Sequence, residues 1–230
     1  EYHRFNDSLA QLGKLLSTGH KIVDVLLIHP MHSAWVSYDG TNNDELQQLD
    51  AQFVRACELL GGAHIDYHLG DETLLARHGS LNADGTLQIG QCRYTAVVLP
   101  DCLTLDHKTA ELLADFAESG RPLVKLGRWP QLCAGRPDAA LAALGTRAVA
   151  ADDIAALREA LAPALTAPVS IAANGAEAAD IACCTVDTPA GVRALYLVNL
   201  SKSDGRTLTV TLPGEVCISR LPMDTLTPAP

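Results

Sequence analysis

The run His29-Pro30-Met31-His32-Ser33-Ala34-Trp35-Val36-Ser37-Tyr38 sets two imidazoles beside two aromatic rings, in a chain whose aromatic content is only 4%. Trp35 and Tyr38 suit two tasks: stacking on the apolar face of a sugar, or packing against another domain. His32 can hydrogen-bond a hydroxyl group. As metal ligands these histidines are poor, because His29 and His32 straddle Pro30 with no third ligand in view. His64 and His68 have the four-residue spacing of a zinc-binding helix, but Ala63 to Leu69 alternates like a strand. On a strand those two rings would stand about 13 Å apart. No metal is expected.

Nucleophilic and phosphate chemistry lack their usual frames. There is no G-x-G-x-x-G and no Walker pattern, and the segment after the first predicted strand has no glycine before Gly40, so no nucleotide or flavin cofactor is expected. A cysteine nucleophile on a strand-to-helix elbow needs a G-x-C-x-G setting. In the matching stretch Arg121 to Trp129, Gly127 falls where that cysteine would lie. Cys102 follows Pro100-Asp101 without flanking glycines, and every histidine precedes residue 108, so no histidine follows the elbow. Glycosidic hydrolysis needs two carboxyl groups about 5–10 Å apart. The Asp and Glu residues fall mainly in predicted helices and turns, so no catalytic residue is assigned. The seven cysteines are odd in number and irregular in spacing. They read as free thiols in a reducing, cytoplasmic compartment.

The elements that must position these residues follow from periodicity. Helices are expected at Phe5–Leu16, Glu45–Leu60, about Glu72–Arg77, His107–Glu118, Ala139–Leu144 and Ile154–Leu161. Leu46, Leu49, Phe53, Val54, Cys57 and Leu60 form the apolar stripe of the second, and Gly61-Gly62 closes it. Strands are expected at Val23–His29, Ala63–Leu69, Tyr94–Leu99 and Pro122–Leu126, with a further one at Thr146–Val149. The residues from His29 to the second helix read as a loop, and Asp84-Gly85 reads as a hairpin turn. Strands alternating with helices give an α/β fold, a doubly wound and mainly parallel sheet. From about Pro168 the pattern becomes alternating segments split by turns, a C-terminal antiparallel β-rich segment. The division expected is a leading helix over 1–20, an α/β domain over 21–165 and the β-rich segment over 166–230.

The 230 residues carry a formal net charge of −10 without a clustered basic face, which argues against nucleic acid and against an anionic membrane surface as partners. With 48% hydrophobic residues the chain can bury a sizeable, aliphatic core. It opens on Glu1 and not on Met, and so reads as a piece of a longer protein.

Residues 2–35 carry Arg4, Leu15, Leu16, Gly19, Val23, Asp24 and Val25 in one run; Tyr94 and Val97 to Pro100 follow, and then Ser119-Gly120 before Arg121-Pro122-Leu123-Val124. This pattern resembles the middle domain of multidomain glycoside hydrolases, β-galactosidase-like or α-L-rhamnosidase-like, over roughly residues 2–126. That domain is of class I glutamine amidotransferase-like (flavodoxin-like) type. One departure is Ser119-Gly120, where the family carries Gly-Gly. The resemblance implies an accessory domain without catalytic acids. It would pack on an upstream catalytic barrel of the same polypeptide, and in some relatives such a domain builds a homo-oligomer or lends a loop to the rim of the sugar site. His32, Trp35 and Tyr38 are then the candidate carbohydrate contacts. The alternative is a free-standing module of the same fold that binds a small ligand and lacks amidotransferase activity.

Overall fold

The computed structural model describes residues 2–201 and 207–214; Cys217, the start of the Arg206–Pro213 run and the closing Thr225–Pro230 segment lie outside the described residues. Five strands form the central sheet: β1 (Val25–Ile28), β2 (Tyr67–Gly70), β3 (Ala96–Leu99), β4 (Leu123–Lys125) and β5 (Val149–Ala150). Their order is β2-β1-β3-β4-β5, and every neighbouring pair is parallel. All four side chains of β1 are fully buried, as are all four of β3. These strands are apolar at every position because both faces of the sheet are covered. Each such Leu or Ile contributes about 1.5–3 kcal/mol relative to exposure.

Alternation along β1 divides the core in two. Leu26 and Ile28 face Leu112, Leu113 and Phe116 of α5 (His107–Glu118), while Val25 and Leu27 face the opposite layer. That layer holds Ala56 and Leu60 of α3 (Asp44–Gly62) with Leu157 and Leu161 of α6 (Ile154–Leu161). Crossover helices therefore cover both faces. The expected strand Tyr94–Leu99 divides: Cys92–Tyr94 completes a three-stranded antiparallel ribbon with Gly79–Leu81 and Leu87–Ile89, whose turn holds Gly85 at a φ of 78°. The strand expected at Thr146–Val149 forms only at Val149–Ala150, as β5.

Three local expectations need correction. The segment after β1 is not loop throughout, because Met31–Ser37 is a helix, α2. Pro30 opens it, where a missing amide hydrogen costs nothing. In α3, Val54 is 47% exposed and Ala56 takes its place in the core. That helix also runs through Gly62, and the left-handed residue that turns the chain is His64, at a φ of 58°. His64 is therefore in a turn and not on a strand. Its Nε2 bonds the Ala178 carbonyl at 3.1 Å, and its Nδ1 lies 2.8 Å from Glu177 Oε1 and 3.0 Å from Arg158. His68 is on β2, with Nδ1 3.0 Å from the Tyr94 hydroxyl. The two rings engage different partners, and no cluster able to hold a metal occurs among the described residues.

The β-rich tail comprises β6 (Ser170–Ala173), β7 (Ile181–Asp187), β8 (Arg193–Asn199) and β9 (Thr209–Thr211), paired antiparallel as β6 with β9 and β7 with β8. His20–Lys21 adds to the free side of β7. Ahead of it, α1 (Tyr2–Thr18) leaves Tyr2, Phe5, Leu9 and Leu16 exposed. No helix among the described residues is long and apolar enough to cross a membrane.

Candidate functional site

In a parallel sheet with helices on both faces, ligands settle beyond the carboxyl ends of the strands, where the strand order reverses. Here that point lies between β1 and β3. The chain leaving β1 becomes α2, and the chain leaving β3 runs from Pro100 to Asp106 before α5 begins. A cavity of about 310 Å³ opens there, lined by His32, Trp35 and Val36 of α2, by Thr104 and Asp106, and by Ala134 and Gly135. That volume is at the lower end of small-ligand sites.

Ser33 fastens one wall. It is fully buried, and its Oγ accepts from the amides of Leu103 (3.0 Å) and Thr104 (3.1 Å) and donates to the Thr104 carbonyl (3.0 Å). With its lone pairs and proton engaged, this hydroxyl serves as a strut and not as a nucleophile. Glu72 fastens the second wall. It begins α4 (Glu72–His78), whose N-cap Asp71 accepts from the Leu74 amide, and it is only 2% exposed. A carboxylate so buried requires partners. Glu72 has two: His32 Nδ1 at 2.8 Å from Oε1, and the Asp106 amide at 2.6 Å from Oε2. An ionised carboxylate only accepts, so it holds a ring proton on Nδ1, and in the neutral ring Nε2 is the acceptor.

The third wall is a two-residue turn. Leu132–Cys133 pairs with Arg136–Pro137, and between them Ala134 and Gly135 adopt φ of 47° and 76°. Successive left-handed residues make the tight hairpin turn that matches strand twist. Ala134 donates to the Leu105 carbonyl and Gly135 to Thr104 Oγ1.

Of the three residues expected to meet a ligand, the fold brings two together. His32 and Trp35 both line the cavity, their rings edge to face with centroids 5.0 Å apart. Trp35 is 60% exposed, so most of the indole is free for contact. Tyr38 is also exposed, but it caps the far end of α2 and is not part of the cavity wall. The sequence reading missed Glu72, Thr104, Asp106 and the Ala134-Gly135 turn. Only Asp106, as a cap residue before a helix, carried a local signal.

The thiols nearby are not poised for attack. Burial pushes the Cys102 thiol up to about 12, and it donates to the Thr104 carbonyl at 3.2 Å. Cys133 lies 3.1 Å from His107 Nδ1, a nucleophile–base distance, yet burial and then Asp138 raise its pKa, which disfavours the thiolate. Gly127, at the elbow position, is tightly packed, since a Cβ there would come to 3.0 Å from Asp101. Asp101 in turn is buried and held by both carboxylate oxygens on Arg128.

No family model, curated protein or solved structure matches the chain.

Proposed function

We propose that this chain is a flavodoxin-like, class I glutamine amidotransferase-like accessory domain of a multidomain glycoside hydrolase, β-galactosidase-like or α-L-rhamnosidase-like, and that it offers a carbohydrate contact without carrying the catalytic acids. The observation that carries the reading is the exposed Trp35 indole, set edge-on to an oriented His32 at the rim of a cavity of about 310 Å³. An aromatic face and a fixed acceptor are what a sugar ring needs: one covers its C–H side, the other takes a hydroxyl proton.

Other features favour it. The strand order β2-β1-β3-β4-β5 is the order of flavodoxin-like sheets. The amidotransferase elbow carries Gly127 in place of a cysteine, and a Cβ there would press on Asp101. Both oxygens of Glu72 accept hydrogen bonds within the protein, which leaves it poorly placed as a general acid or base. The exposed apolar side chains of α1 favour attachment to a neighbouring domain, the catalytic barrel in this reading, over the alternative of a free-standing small-ligand module.

Two measurements test the proposal. Calorimetric titration with methyl β-D-galactoside and with L-rhamnose should show weak, saturable binding of at least one, with a dissociation constant on the order of 1 mM, about −4.1 kcal/mol. Chromogenic glycosides of both sugars should not be turned over. Absence of binding to both sugars, or hydrolysis abolished by mutating a carboxylate of this chain, would overturn it.

A further inference from the structure

The first turn of a helix at a strand-order reversal is where this class of sheet commonly seats a phosphate, because the free amides there attract anions. In this protein two amides at the start of α5 are already engaged. The Asp106 amide donates to Glu72 Oε2, and the His107 amide donates to Asp106 Oδ1, each at 2.6 Å. The remaining wall is spent in the same way: the Thr104 amide is bonded to Ser33 Oγ, that of Ala134 to the Leu105 carbonyl, and that of Gly135 to Thr104 Oγ1. Among the described residues no Lys or Arg lines the cavity. What remains to meet a ligand is a set of acceptors, His32 Nε2 and the Asp106 carboxylate, beside the electron-rich face of Trp35, which attracts cations.

We infer that the cavity selects donor-rich, neutral to cationic sugars: an amino sugar binds more tightly than its parent hexose, and uronic acids and phosphorylated ligands are disfavoured. An ammonium group can donate to the Asp106 carboxylate and lie against Trp35. A ligand carboxylate or phosphate meets the Asp106 carboxylate instead. The inference rests on the carbohydrate reading above and adds the charge class of the ligand.

The test is a calorimetric comparison of D-galactosamine, D-galactose, D-galacturonate and inorganic phosphate on the intact chain. Partly exposed ion pairs contribute up to about 1 kcal/mol, so galactosamine should bind about three- to fivefold more tightly than galactose, and galacturonate should be weaker by a similar factor. Phosphate should give no saturable heat. Asp106→Asn keeps a side-chain oxygen to cap α5, so the fold is retained. It should bring galactosamine and galactose close to parity. Equal binding of all three sugars, tighter binding of galacturonate, or an amine preference that survives Asp106→Asn would overturn the inference and leave the carbohydrate reading standing. Failure of all three sugars to bind would remove both.

Discussion

Glu72 Oε1 and His32 Nδ1 lie 2.8 Å apart, forty residues distant in the chain and brought together beyond the carboxyl ends of the neighbouring strands β1 and β2. Because Glu72 also accepts from the Asp106 amide, this one carboxylate ties together the segments that follow β1, β2 and β3. The site is therefore braced by a residue that need not touch the ligand.

Glu72→Ala removes that brace. It leaves the Asp106 amide and His32 Nδ1 without their partner in a part-buried setting, an effect of about 1–3 kcal/mol. Urea denaturation should report a loss in that range. A variant as stable as the parent would show that Glu72 is dispensable to the scaffold.

Trp35→Ala should behave in the opposite way. The indole is 60% exposed, and surface truncations usually stay within about 0.5 kcal/mol of the parent. Its melting curve should overlay that of the parent, while sugar affinity falls beyond detection. A variant that unfolds would place Trp35 in the core and remove its role as a platform.

The scaffold was largely legible from periodicity, and most of the site was not. Runs such as Val25–Ile28 and Val97–Leu99, short, rich in Val, Leu and Ile and ended by Pro30 and Pro100, read as central strands. The limits of α5 follow from its cap residues and from Ser119-Gly120. Glu72 gave no such signal: an acidic residue in the first turn of a helix normally reads as a solvated partner of the helix dipole. Its burial depends on α2, a seven-residue helix with no side-chain cap to announce it. Ser33 and the Ala134-Gly135 turn owe their roles to packing between segments far apart in sequence.

The thiols should remain single. Burial pushes Cys102 and Cys183 each up to about 12, so both should resist alkylation in the native state at neutral pH and become reactive as pH rises toward that value. Six cysteines are free among the described residues, and Cys217 lies outside them. Titration in denaturant without reductant should therefore count seven thiols. A lower count that recovers with reductant would reveal a disulfide.

Gly127→Ala probes the packed elbow. The added methyl would press on Asp101, which Arg128 holds in place, so a loss of about 1–3 kcal/mol is expected. An unchanged denaturation midpoint would show that the elbow has room for a side chain after all.

The central claim is that the cavity beyond β1 and β3 is where a carbohydrate meets this domain. Titrating the isotope-labelled protein with methyl β-D-galactoside and D-galactosamine while following backbone and side-chain NMR shifts tests it most directly. Saturable shifts should concentrate on His32, Trp35, Val36, Asp106, Ala134 and Gly135, with the largest side-chain change at the Trp35 indole. Shifts that never saturate, or that gather elsewhere on the surface and leave Trp35 and His32 unmoved, would contradict the account.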